Sequence, residues 1–125
     1  LATGHFTINH VHPGLLQAAH QCSARYPAEV SEFEATGLTA LWTNLPAPYV
    51  AESKLSIGLK LAQQIDIELN GTHLLIGEVC EVRLLPEALQ PDGNIDIAGL
   101  DSIAVTALDS YHSISPIARL AYAKP

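Results

Sequence analysis

Methionine is absent from this sequence, which begins at Leu1. The start therefore reads as cut, with upstream sequence removed or left out. Basic residues are scarce, six Lys and Arg against thirteen Asp and Glu, for a net charge of −7. Neutralising a phosphate backbone needs clustered cations, so nucleic acid is excluded as a partner. An anionic cofactor remains open, held by backbone N–H groups and one or two local cations. Cysteine is nearly absent too. Cys22 and Cys80 form no CxxC pair, which reads as a reduced, cytoplasmic setting, with a single disulfide as the alternative. No apolar run is long enough to cross a bilayer and no signal peptide is visible, so a membrane is not an expected partner. GxSxG, HExxH, GxGxxG and Walker patterns are all missing, which leaves nucleophile, zinc and nucleotide-loop chemistry without a motif.

Against this, 48% of the residues are apolar and only 15% charged. That excess of apolar surface is expected in a subunit interface, because a homodimer contact resembles a core cut in half. The length fits one domain, residues 1–125, large enough for a core.

The most regular stretch is residues 55–85. Leu55, Ile57, Leu59, Leu61, Ile65, Ile67 and Leu69 occupy odd positions, with mostly polar or small residues between them. Period-two alternation predicts a strand with one face on a core. Asn70-Gly71 predicts a two-residue type I′ turn, since both types tolerate positive φ. The return arm, from His73 to Val82, is apolar on both faces near its middle and is expected to be buried deeper than the first arm. A hairpin this long must twist, and such hairpins build small β-barrels. The expected fold is thus mainly β, with a few short helices.

Elsewhere the spacing predicts a strand over 5–11, ended by Pro13-Gly14, and a helix over 15–23 with an apolar stripe. Ser31 followed by Glu32 and Glu34 predicts a second helix, stopped at Gly37. Residues 38–44 are expected to be extended, and Pro91-Asp92-Gly93-Asn94 to turn. The chain is expected to end in an irregular tail and a last short strand over 117–122.

Few residues suggest chemistry. His10 and His12, at i and i+2, share a strand face and either share a metal or are surface histidines; with no third ligand in view, no metal is expected. His73 opens the return arm on the face of Gly77. Gly77 lets another backbone or a flat ligand approach, or marks a bulge. Ser23-Ala24-Arg25 follows a helix end and offers a hydroxyl, free N–H groups and a cation, suited to an anion or a polar ring edge, or else a solvated loop. Tyr111 either stacks on a ring or packs in the core.

Taken in order, several stretches resemble the flavin reductase-like, FMN-binding split-barrel family. Thr3-Gly4-His5-Phe6-Thr7-Ile8-Asn9 resembles the family's T-G-E-F-x-x-N strand. Residues 23–38, SARYPAEVSEFEATGL, resemble its S-A-x-x-P-x-x-x-S/D-E-F-E-x-A-G-L segment, and residues 48–53, PYVAES, its P-x-V-x-E-S entry to the long strand. Gly71-Thr72-His73 with Ile76-Gly77-Glu78-Val79 resembles its G-x-H-x-x-x-I-G-E-V arm. The resemblance implies a split β-barrel that dimerises, with FMN at the subunit interface, and the C-terminal two-thirds of such a domain, without its first strands. It implies electron transfer from NAD(P)H through FMN to a flavin, a partner oxygenase or another acceptor. A non-catalytic flavin carrier and a purely structural dimerising barrel are the alternatives. It further implies that Ser23, Ala24, Arg25, His73 and Tyr111 lie in stretches that approach the flavin.

Overall fold

A computed structural model of the protein describes residues 3–125, with seven strands and two short α-helices among them. Leu1 and Ala2, where the sequence reads as cut, lie outside the described residues. Strand β1 (His5–Asn9) leads through a 3-10 turn at Pro13–Leu15 into helix α1 (Leu16–Gln21). Helix α2 (Glu32–Thr36) follows, preceded by Ser31 and ended by Gly37 at φ +73°, the left-handed stop expected there. β2 (Ala40–Leu41) and β3 (Tyr49–Val50) form a short antiparallel pair. The long hairpin is β4 (Leu55–Ile67) and β5 (Thr72–Leu84), and β6 (Ile103–Thr106) pairs with β7 (Ser110–Ser113).

The main sheet has the order β1-β4-β5, antiparallel throughout. The hairpin register slips twice. Cys80 is unpaired on β5 between the Gly58–Glu81 and Leu59–Val79 pairs, and Ala62 is unpaired on β4 between Leu61–Gly77 and Gln63–Ile76. Such bulges sharpen the twist, so the hairpin curls as expected of a barrel element. Among the described residues the three sheets do not close on one another.

Two expectations for the hairpin are corrected. The strands end at Ile67 and resume at Thr72, so the turn spans four residues, 68–71, and is not a two-residue type I′ turn. Only Gly71 has positive φ, +67°. Asn70 instead uses its Oδ1 to accept from the Thr72 N–H (3.2 Å) and hydroxyl (2.7 Å). Nor is the return arm the deeper one. β4 is buried at Leu55, Ser56, Gly58 and Leu59, whereas β5 has no buried residue. The reason is the length of β1: its five residues cover only Ser56 to Lys60. Beyond that, β4 has β5 as its neighbour, and β5 is an open edge.

Two clusters form the core: Leu45, Ala47 and Tyr49 with Leu41 beside them, and Leu55, Ala88 and Leu100 with Leu84 and Ile95. Thr7 and Asn9 tie β1 to the first cluster. The Thr7 hydroxyl donates to the Pro48 carbonyl (2.8 Å), and Asn9 Oδ1 accepts from the Val50 N–H (3.1 Å). β1 stops at Asn9 rather than at residue 11. The strand expected over 117–122 is absent: residues after Ser113 form no regular element. The tail is tied back by Arg119, whose guanidinium meets the Asp92 carboxylate at 2.6 Å. Among the described residues no helix is long and apolar enough to cross a membrane.

Candidate functional site

Tyr111 is the residue around which the open surface gathers. The β6–β7 pair is held beside the exit of β1, where the Ile103 N–H donates to the Val11 carbonyl (3.0 Å) and His10 Nδ1 is 3.0 Å from the Ser102 hydroxyl. This brings Tyr111 against α1. Its hydroxyl is hydrogen-bonded to His20 Nδ1 at 2.8 Å, and the two rings meet edge to face, 5.7 Å apart at 83°. Tyr111 lines an open cleft of about 250 Å³ with Asn9, His10, Val11, Ile103 and Val105. It also lines one of about 230 Å³ with Leu16, Gln17, His20 and Asp109. A half-exposed aromatic ring beside branched aliphatic side chains suits a flat, conjugated ligand. Core packing of Tyr111 does not describe this position.

Ser23-Ala24-Arg25 leaves the C-terminal end of α1 and reaches Tyr111 through His20. The Ser23 hydroxyl donates to the His20 carbonyl (2.7 Å). The N–H groups expected to be free are in use here: Ser23 N–H bonds the His20 carbonyl and Ala24 N–H that of Gln21. A helix C-terminus also carries the negative end of the dipole, so any attraction for an anion at this loop rests on Arg25. That side chain is exposed, and among the described residues it has no ion pair.

His73 lies apart from this group, near the tip of the hairpin. It pairs across the strands with Asp66, and its Nδ1 is 2.6 Å from Asp66 Oδ1. Gln64 Nε2 donates to the same carboxylate oxygen at 2.8 Å. Hydrogen bonds from Gln64 and then His73 hold the Asp66 carboxyl below its ordinary range. Gly77, the neighbour suggested to admit a ligand, has another role: a Cβ there would come within 2.7 Å of the Phe6 ring and 2.9 Å of Leu59. The space is already occupied by core side chains.

The two early histidines serve the local structure. His12 Nδ1 accepts from the Gly14 N–H (3.2 Å), which leaves Nε2–H to donate to the Glu52 carbonyl (3.2 Å). Glu52 in turn accepts the Thr39 N–H with both oxygens, at 3.0 and 3.2 Å, and this bonding lowers its pKa. His20 and the exposed Trp42 were not foreseen as site residues. Trp42 lines the largest hollow described, about 590 Å³, with Phe33, Leu38 and Pro48. Nothing in the spacing joins position 20 to position 111; only the tertiary path through β6 does.

Comparison with known proteins gives a consistent result. The model of the flavin reductase like domain matches residues 1–101. No curated protein sequence matches the chain. Among solved structures, a split-barrel protein of Shewanella frigidimarina NCIMB 400, assigned as a flavin reductase, is 44% identical. It superposes with a TM-score of 0.92 over 97% of this chain and 62% of its own. Flavoredoxin of Desulfovibrio vulgaris (Miyazaki F) is 27% identical, with a TM-score of 0.79 over 97% of this chain and 64% of its own. Component B of nitrilotriacetate monooxygenase from Bacillus cereus, at 24% identity and a TM-score of 0.82, covers 95% and 61% and shares the fold. The chain thus has the split-barrel fold and spans about three fifths of the length of the structures it matches.

Proposed function

The chain belongs to the flavin reductase-like domain family, and from this premise we propose that it is a single FMN-binding domain that moves electrons from NAD(P)H to an acceptor. The match over residues 1–101 carries this reading. The residues fit such a cofactor in kind. Tyr111, with Val11, Ile103 and Val105, offers an aromatic and aliphatic wall for a flat ring. Arg25 offers an uncommitted cation for a phosphate. His73 offers a ring nitrogen on the hairpin. Bound flavin supplies the hydride acceptor and releases the electrons one or two at a time, and the protein orients it and tunes its potential.

The clefts around Tyr111 are open, and the hairpin carries exposed Leu74, Ile76, Val79 and Val82 along an unpaired edge. Both features support a homodimer in which a second copy covers the hairpin and helps enclose the ring. The acceptor would be a free flavin or a partner oxygenase; the likeness to a monooxygenase component B bears on the second. We take the setting to be cytoplasmic, which the two unbridged thiols support. A carrier without turnover would use the same wall, and the similarity to a flavoredoxin keeps that reading in play.

Binding of FMN, FAD and riboflavin, followed by quenching of flavin fluorescence, tests the proposal. Tyr111→Ala should weaken all three, whereas Arg25→Ala should weaken FMN and spare riboflavin, which has no phosphate. Equal affinities of the wild type and both variants would remove these residues from the site.

A further inference from the structure

The pairing at the hairpin tip determines which nitrogen of His73 is available. Asp66 and His73 face each other across β4 and β5, and the contact runs from Asp66 Oδ1 to His73 Nδ1 at 2.6 Å. The same oxygen accepts Gln64 Nε2 at 2.8 Å. An ionised carboxylate can only accept, so the proton in the short contact belongs to His73 Nδ1. Gln64 Nε2 also lies 3.5 Å from Nδ1. As two donors these nitrogens cannot bond each other, so Gln64 orients the carboxylate rather than the ring. The lowered pKa of Asp66 agrees with an oxygen that receives two donors. With Nδ1–H engaged, neutral His73 carries its lone pair on Nε2, the nitrogen pointing away from its partner.

We propose that Asp66 is the positioning residue of His73, holding it as the Nδ1–H tautomer so that Nε2 presents an acceptor to an N–H donor of the bound ligand. Two ligands of the proposed function offer such a donor, the imide N–H of the isoalloxazine ring and the carboxamide of nicotinamide. The inference rests on the flavin reading of the site. It adds a polarity to it: the hairpin tip selects donors and rejects carbonyl edges, because an acceptor left facing an acceptor is unpaired. Gln64, Asp66 and His73 are exposed and bear no core packing, so changing Asp66 should leave the fold intact.

The test is long-range proton–nitrogen correlation on the full chain with ¹⁵N-labelled histidine, at a pH where the ring is neutral. Wild-type His73 should show an unprotonated Nε2 and a protonated Nδ1. Asp66→Ala should move it toward the Nε2–H form that free imidazole side chains favour. FMN and then NADH are added to each protein, and whichever shifts the Nε2 resonance is the donor. Affinity for that ligand should fall roughly fivefold in Asp66→Ala, the effect of one hydrogen bond. Wild-type His73 in the Nε2–H form overturns the proposal. So does a bound flavin, seen by its quenched fluorescence, that leaves Nε2 unmoved both alone and with NADH. Failure of FMN to bind at all would instead refute the flavin reading, while the tautomer measurement on the free protein stands by itself.

Discussion

Gly58 sits on the central strand against Tyr49, and the pair makes a quantitative test of the core. Tyr49 is 1% exposed, and its hydroxyl has no hydrogen-bond partner among the described residues. A Cβ at position 58 would overlap that hydroxyl and lie 2.9 Å from Leu45 Cδ2 and 3.2 Å from Tyr49 Cζ. The ring has little room to retreat, with Leu45 and Ala47 around it and the Arg83 guanidinium 5.5 Å from its centroid. Overpacking of this kind costs about 1–3 kcal/mol. Replacing glycine returns roughly 0.5–1 kcal/mol through the unfolded chain. Gly58→Ala should therefore lose up to about 2.5 kcal/mol net, centred on about 1 kcal/mol. Tyr49→Phe removes a buried, unpaired hydroxyl and should be neutral or stabilising by up to about 1 kcal/mol. In the double variant the worst overlap is gone, so the two changes should couple by about 1 kcal/mol or more in the favourable direction. Urea unfolding followed by far-ultraviolet circular dichroism, with unchanged m values, measures all three. A stable Gly58→Ala, or one whose loss is the same with Phe at position 49, would refute the packing argument.

Other changes test the remaining joints. Asn9→Ala leaves the Val50 N–H without its acceptor and Thr7 Oγ1 without the Asn9 Nδ2 donor, and should cost about 1–3 kcal/mol in urea unfolding. Asn9→Asp keeps the acceptor but sets an oxygen against Thr7 Oγ1, whose proton is given to Pro48, so it should recover little of the loss. The Glu52 carboxyl has its pKa lowered by the Thr39 hydrogen bonds. Its stabilisation is therefore full above the unfolded pKa and lost as pH falls through the folded one. Urea midpoints of wild type and Glu52→Gln should differ at neutral pH and converge in acid; a constant gap would contradict the assignment. On the hairpin, Leu74 and Val79 are 50% and 57% exposed. Placing Lys at both should weaken a dimer by roughly a hundredfold, on the order of 3 kcal/mol for charges buried in an apolar contact. Sedimentation should then show a folded monomer, and an unchanged assembly would put the interface elsewhere.

Local signals were legible where local physics decides. The alternation from Leu55 to Leu69 gave the long strand, Gly37 the end of α2, and the order of four stretches the family. The errors have physical causes. Burial of β5 was inferred from its apolar residues, but what covers a strand depends on its neighbours, and β1 is too short to reach the tip. Asn70-Gly71 suggested a tight turn, yet Asn70 is used as an acceptor for Thr72 and the loop widens to four residues. The β6–β7 hairpin was missed because its turn, Ala107-Leu108-Asp109, has only Asp109 of the usual turn residues; the positive φ, +54°, falls on Ala107 and not on a glycine. The site was half legible. Tyr111 was singled out from the sequence as a candidate, while His20, hydrogen-bonded to it, and Asp66, paired with His73, become partners of these two residues only through tertiary pairing.

The most direct test of the central claim is the visible spectrum of the purified, FMN-loaded protein before and after anaerobic addition of NADH or NADPH. The account predicts a protein-bound flavin band that bleaches with one of the two nucleotides and returns when an acceptor is supplied. A bound flavin that neither nucleotide bleaches would contradict the reductase reading and leave a carrier. No bound flavin at all would contradict the account of the site itself.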